Sequence, residues 1–503
     1  MTQRTPSIRS IKSITCRSAV ATAAALCALN GAQAQSVVAN FGGLSLTNIT
    51  ALNGFGLAPP DTNGAIGINH FVQFINGGYA VYNRNGSLAA PAISDTAFWT
   101  AAGVSSTLLG EGLSDPRLQF DAASGRWFAA QITLGNSSFT NNSVLVAVSN
   151  NANPLSGWKA TSYNVAGSTK FNDYPTLGVD ANAIYIGSND FTGAGAYAGN
   201  TLSSIPKSSL LAAAPTTAGR ATFTQSATGA FGATPQALTN YGTGYTGTKI
   251  IGNSNTVDFN KLQVTPINNT GAAGATLGAT TVVNMALDGQ ATLARQPDGS
   301  RTVDTLDNRF SGTIYQVGNK IYAANAINAT NQTFNQLAAG NTVVHWLVMD
   351  ATNNTILQEG TLSDGTRDLW QPSIAANANG DVVIGYNKSG TTMNISAFAS
   401  VGKTTGGVLS FTAAPLLLKT STVNNYNDGF PGTPDRWGDY SATMIDPTDP
   451  NVFWTVQEWA SGTTTWNTQI SAINVVPEPG TYALMALGLV AVLGLRHLRH
   501  PRA

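Results

Sequence analysis

Cysteine is almost missing from this chain. The two present, Cys16 and Cys27, both lie within the first 34 residues. If that segment is a removable leader, the mature chain has no thiol, no disulfide and no cysteine metal site. Its stability must then come from a buried core, which a domain of roughly 440 residues is large enough to supply. Histidine is scarce: besides His497 and His500 near the C-terminus only His70 and His345 occur, too few for a transition-metal centre. Charged residues make up 10% of the chain and no cluster of Lys and Arg stands between its ends. That excludes the phosphate neutralisation that nucleic-acid binding requires. No helical periodicity is sustained over 35–475, and long apolar runs are confined to the two ends.

The ends are where the charge asymmetry lies. Arg4, Arg9, Lys12 and Arg17 precede an apolar run from Ala19 to Leu29 and then Ala32-Gln33-Ala34, with no acidic residue. Basic, apolar and small-residue regions in that order predict a secretory signal peptide over 1–34 with cleavage after Ala34. The apolar run is too short for a spanning helix, and Leu26 before Cys27 does not suit a lipoprotein site. With Arg496, Arg499, Arg502 and Glu478 of the tail also set aside, 18 basic and 24 acidic residues remain, a net charge of about −6 behind the neutral total.

From Val476 the chain reads Pro477-Glu478-Pro479, then 14 uncharged residues from Tyr482 to Leu495, then a basic cluster. The apolar stretch predicts a short helix that pauses in the membrane with its charges on the cytoplasmic side. The prolines keep the preceding chain extended for a processing enzyme. An ordinary single-span anchor is the plainer reading of the same segment. In order, length and position, 476–503 resembles the PEP-CTERM sorting signal. That resemblance implies an exosortase as processing partner, transient inner-membrane contact, and export to the outer surface or extracellular matrix of a Gram-negative bacterium that makes extracellular polysaccharide.

Between the ends, β-rich runs recur: His70 to Ile75, Arg126 to Ile132, Ser143 to Val148, Ala183 to Ile186, Val343 to Val348, Asp381 to Tyr386 and Val452 to Gln457. They predict an all-β fold. Turn pairs separate them, among them Asn85-Gly86, Asp298-Gly299 and Asp364-Gly365, of the kind that close hairpins. Polar and proline-bearing openings also recur, at Asp61, Asp115, Asp173, Gln371 and Asp439, with a fainter one at Asp307. Their spacings are 54 residues from Asp61 to Asp115, 58 from Asp115 to Asp173, 64 from Asp307 to Gln371 and 68 from Gln371 to Asp439. The gap from Asp173 to Asp307 is 134 residues, which places a degenerate opening near Asn240-Tyr241. Seven four-stranded units of this length predict a seven-bladed β-propeller over 35–475. The last unit is one strand short, and 36–49 would supply it and close the ring. A pair of β-sandwiches explains the strands but not the openings. The phrases Asp115-Pro116-Arg117 with Phe120-Asp121 and Gly125-Arg126-Trp127-Phe128, and Trp437-Gly438-Asp439-Tyr440-Ser441, resemble the sialidase-like and BNR-type propellers, though the strict Asp-box is absent.

First strands line a propeller channel, so the openings are expected to bring Asp61, Asp115, Asp173 and Asp439 together with Arg117, Arg309, Gln371 and Arg436 at one mouth. Such a set can hold a carboxylate or sugar through guanidinium contacts, or calcium through acidic oxygens. The sialidase resemblance implies Arg117, Arg309 and Arg436 on a substrate carboxylate, Tyr174 or Tyr440 as nucleophile backed by Glu458, and an Asp as acid/base. Asp115, Asp173 and Asp439 are the acidic candidates. The plainer reading is that each Asp caps a turn. A polysaccharide lyase would need a basic cleft, which the net acidity disfavours, and no Gly-x-Ser-x-Gly elbow precedes a helix. The 446–451 stretch, Asp446-Pro447-Thr448-Asp449-Pro450-Asn451, reads as a proline-stiffened turn rather than a calcium loop. Trp437, Trp454, Trp459 and Trp466 are core or a sugar platform. The favoured reading is a surface-sorted, non-catalytic binder of extracellular polysaccharide or surface proteins; the alternative is a sialidase-like glycoside hydrolase or a lyase.

Overall fold

The computed structural model describes residues 35–475 apart from Ser137, 165–168, Thr228, Ala230, 243–246, 254–259, 272–273, 287–288, 329–338 and Thr433. The expected signal peptide with its cleavage at Ala34, and the tail with Pro477, Glu478, Pro479 and the apolar helix, lie outside the described residues. Among the described residues no helix is long and apolar enough to cross a membrane.

Seven antiparallel sheets follow one another along the chain as propeller blades. Blade 1 is Gly64–Ile66, His70–Ile75 and Gly78–Asn83, its outer edge reduced to bridges from Leu88 and Ile93. Blade 2 is Leu113–Asp121, Arg126–Thr133, Val144–Ser149 and Trp158–Tyr163; blade 3 is Lys170–Val179, Ala183–Thr192, Tyr197–Pro206 and Ala221–Gln225. Blade 4 begins at Ala233–Ala237, blade 5 at Tyr315–Val317, blade 6 at Asp368–Ala376 and blade 7 at Ala442–Ile445. Each sheet packs both faces against neighbours. Middle strands such as Val144–Ser149 are therefore buried along their whole length and read as continuous apolar runs rather than alternating ones. Helices are short; Leu46–Asn53 is held by a capping box from Ser45.

The ring closes as the sequence suggests. Ser36–Ser45 pairs with Thr465–Asn474 as the outer strand of blade 7. Gln73 of blade 1 clasps the join: its Oε1 accepts from the Leu44 backbone at 2.8 Å and its Nε2 donates to Thr468 Oγ1 at 2.7 Å. Ser36–Ser45 thereby covers the edge that Thr465–Asn474 would otherwise expose.

Four of the blade openings are β-bulges. Asp61, Asp115, Tyr174, Thr234 and Gln371 all have positive φ, between 48° and 61°. The pairing register slips beside the last four of them. A bulge is also where a strand tolerates proline, as in Asp115-Pro116, Tyr174-Pro175, Thr234-Pro235 and Gln371-Pro372. The degenerate fourth opening is thus Thr234-Pro235, not Asn240-Tyr241, which follows the strand. Asp364-Gly365 links blades 5 and 6 rather than closing a hairpin, since the strands on either side belong to different sheets.

Blade 5 departs from the pattern. Before it, residues 289–310 form a strap containing the two-residue strands Ala294–Arg295 and Thr302–Val303. The strap reaches past blade 5: Arg295 pairs with Asp368 of blade 6 at 2.9 Å, and Arg301 pairs with Asp435 before blade 7. Ala291, Ala294 and Val303 enter the core shared with Trp370, Trp437 and Tyr426.

Candidate functional site at the channel mouth

The strands bring the expected residues together. Asp61 and Asp115 hold one blade opening to another. Asp61 Oδ1 accepts from the Asp439 backbone at 2.8 Å, and its Oδ2 accepts from Asn76 at 2.9 Å. Asn76 Oδ1 in turn accepts from the Asp115 backbone at 2.9 Å, and Asp115 Oδ2 accepts from that of Tyr174 at 3.1 Å. Asn189 repeats the device between blades 3 and 4, accepting from the Thr234 backbone at 2.8 Å. Sequence reasoning missed these asparagines, although Asn76, Asn189, Asn253 and Asn387 all stand towards the end of a blade's second strand.

Arg117 lies beneath this ring, 5% exposed. Its Nε donates to the Pro175 carbonyl at 2.8 Å and its Nη1 to the Ser311 carbonyl at 3.1 Å. Its guanidinium carbon sits 3.3 Å from the centre of the Tyr440 ring and 5.1 Å from that of Tyr174. The Ser311 carbonyl comes from blade 5, whose opening runs through the channel: Gln236 donates to Gly312 at 3.0 Å, and Gln119 donates to Thr313 at 2.9 Å. Arg309 is held by both oxygens of Asp307 at 2.7 Å and lies over the Tyr174 ring at 4.4 Å. Arg436 is the most exposed of the three arginines and pairs with Asp439 at 2.5 Å.

The tyrosines expected as nucleophiles are committed as donors, Tyr174 to the Asp439 carbonyl and Tyr440 to the Pro116 carbonyl, each at 2.9 Å. Burial raises both phenols above their ordinary range. Glu458 is fully buried beside Gln371 and Gly438, and neither of its oxygens bonds to a tyrosine. Burial, and then the Asp61 charge, push its carboxyl well above the usual range. Asp61 and Asp115 are raised by burial and by the Asp439 charge. Asp173 is less enclosed; burial, then Asp115 and Asp439, bring it to about 7. Asp307 stays low because, against its burial, the Arg309 guanidinium stabilises its charge.

Among the described residues no three His, Cys, Asp or Glu side chains are grouped as metal ligands. Asp446 accepts from the Thr448 backbone at 2.8 Å, from Trp454 Nε1 at 2.9 Å and from Arg84, which makes its loop a pinned turn. Trp437, Trp454 and Trp466 are core, each at most 2% exposed. Trp459 alone is half-buried, with Lys419 over its ring at 4.4 Å. His345 is buried between Asn325 at 2.8 Å and Glu359 at 3.1 Å.

Comparison with solved structures finds remote matches. An α-L-arabinanase from Penicillium chrysogenum overlaps 88% of this chain and 99% of its own, at 9% identity and a TM-score of 0.39. An α-L-arabinofuranosidase from Fusarium graminearum overlaps 83% and 94%, at 9% identity and a TM-score of 0.36. A sialidase from Trypanosoma rangeli overlaps 82% and 58%, at 8% identity and a TM-score of 0.35. Similarity this remote carries no argument about chemistry. No curated protein matches the sequence. The PEP-CTERM protein-sorting motif matches residues 475–499, which implies export, membrane-associated sorting in bacteria and processing by an exosortase. The chain is therefore a seven-bladed β-propeller that carries a C-terminal PEP-CTERM sorting motif.

Proposed function

We propose that the protein is released from its tail near Pro477-Glu478-Pro479, displayed at the outer surface or in the extracellular matrix of a Gram-negative bacterium, and binds glycan at the channel mouth without turning it over. One observation carries this reading. The arginine and tyrosines that a sialidase-like reaction would need, Arg117, Tyr174 and Tyr440, are committed to backbone carbonyls and to one another. The more accessible groups at the mouth, Arg436, Asp439 and Asp173, are charged hydrogen-bonding groups suited to sugar hydroxyls. On a glycan array, with parallel assays on fluorogenic glycosides and acidic polysaccharides, the protein should bind at least one glycan and release no fluorophore. Binding absent from the whole array would overturn the reading.

One observation favours the alternative, a glycan-active hydrolase. A half-buried carboxyl at about 7 with two carboxylates beside it is what a general acid requires. If turnover is found, Asp173→Asn should lower it by about 100-fold or more. The rate of the unmodified protein should fall as pH rises through about 7, because the acid form is lost.

Sorting has its own test. Glu478→Ala should leave the protein uncleaved in the membrane fraction. Normal release of that variant would separate surface display from the Pro-Glu-Pro motif.

A further inference from the structure

Both ends of the propeller leave it on the face opposite the channel mouth. In blade 7 the first strand, Ala442–Ile445, starts at the mouth just after Asp439, and Val452–Gly462 returns towards it. Only residues 463–464 join that strand to Thr465–Asn474, which is hydrogen-bonded beside it and so runs away from the mouth again. Ser36–Ser45 lies antiparallel to this last strand: Thr468 Oγ1 donates to the Leu44 carbonyl at 2.8 Å, and Ser471 Oγ donates to Asn40 Oδ1 at 2.8 Å. Ser36 and Asn474 therefore emerge together at the far end, on the side of the 446–451 turn.

The chain beyond that exit is short. Seven residue steps separate Val475 from Tyr482, where the uncharged run of the tail begins, and fully stretched they span at most about 25 Å. Crossing the headgroup layer takes about 6 Å of this and leaves about 19 Å. The ten-residue strand Thr465–Asn474 is about 30 Å long. Even tilted by about 45° it rises about 21 Å, and the loops 46–63 and 421–441 stand beyond its mouth end. The tether thus keeps the mouth off a bilayer that holds the tail, although Phe139 and Phe430, exposed on that side, would favour contact. Charge points the same way. On the far face Asp121, Asp381 and Asp446 are matched by Lys207, Lys403 and Arg84, while Lys159 and Arg220 bond to a carbonyl and to hydroxyls. The mouth gathers Asp61, Asp115, Asp173 and Asp439, whose charges oppose one another and would be repelled by anionic headgroups.

We infer that, while the tail holds the chain in the membrane, the far face lies against the lipid headgroups and the channel mouth points outward, accessible before release. This rests on the membrane-associated sorting that the tail implies and is independent of whether the mouth binds glycan.

The test uses the exported chain with its tail intact, recovered from cells lacking exosortase; losing the leader removes Cys16 and Cys27, its only thiols. It is reconstituted into phosphatidylcholine and phosphatidylglycerol vesicles that carry a nitroxide quencher on some headgroups. A fluorophore is attached at Ala123→Cys or Ala378→Cys, exposed turns of the far face in blades 2 and 6, or at Phe430→Cys beside the mouth. Both far-face labels should be quenched severalfold more than the Phe430→Cys label. Inserting about twenty Gly and Ser residues after Val475 should bring the three close to equal, since the lengthened tether spans about 30 Å on average and far more when stretched. Equal quenching without the insertion, or stronger quenching at Phe430→Cys, overturns the inference. A difference that survives the insertion overturns the tether as its cause. If the chain does not float with the vesicles, the sorting reading falls with it.

Discussion

Arg117→Ala is expected to lower the stability of the propeller by about 3–5 kcal/mol, the range seen when one member of a buried charged network is removed. The loss has three sources. The carbonyls of Pro175 and Ser311 lose their donors, the Tyr440 ring loses the guanidinium packed against it at 3.3 Å, and Asp115 loses the positive charge that opposes its burial. Lysine should restore little, because its one ammonium lacks the planar fork that reaches two carbonyls while stacking on a ring. Urea midpoints for the parent, Arg117→Ala and Arg117→Lys check this. A variant that keeps its midpoint but loses glycan binding would show Arg117 to be a ligand group and would reopen the sialidase-like reading.

The position of Arg117 shows what a sequence can and cannot reveal. Its place at a blade opening was legible, since Asp115-Pro116-Arg117 repeats in Tyr174-Pro175-Thr176, Thr234-Pro235-Gln236 and Gln371-Pro372-Ser373. A strand that must bulge tolerates proline, and the polar residue after it then points inwards. Halving the 134-residue gap from Asp173 to Asp307 displaced the fourth opening to Asn240-Tyr241, past the proline at 235. The partners of Arg117 were not legible. They are backbone carbonyls, one of them from a blade 5 opening that runs through the channel, and main-chain acceptors leave no mark in composition or spacing.

Blade 5 was faint in the sequence for a related reason. Its opening has no X-Pro pair, and the strap at 289–310 that precedes it is tied instead to its neighbours. Arg295 and Arg301 tie the strap to Asp368 and Asp435 across 73 and 134 residues. Pairings at that range have no local signature. The closing strand was easier to foresee, because a last unit with three strands leaves an unpaired edge that something must cover.

The mouth carboxyls that burial raises should make the protein less stable as pH rises, and Glu458→Gln isolates one contribution. Glu458 is raised well above its ordinary 4.5 by burial and by Asp61, so between 4.5 and its folded-state pKa the native protein holds a proton that the unfolded chain has released. Stability then falls with pH across that window, by about 1.4 kcal/mol per unit; below 4.5 both states are protonated and the effect vanishes. Glutamine does not titrate, so the variant should match the parent near pH 4.5 and exceed it by a margin that grows as pH rises. Guanidinium midpoints measured from pH 4.5 to 8 would show two curves diverging as pH rises. Parallel curves would mean that the Glu458 carboxylate is solvated or paired in the native state.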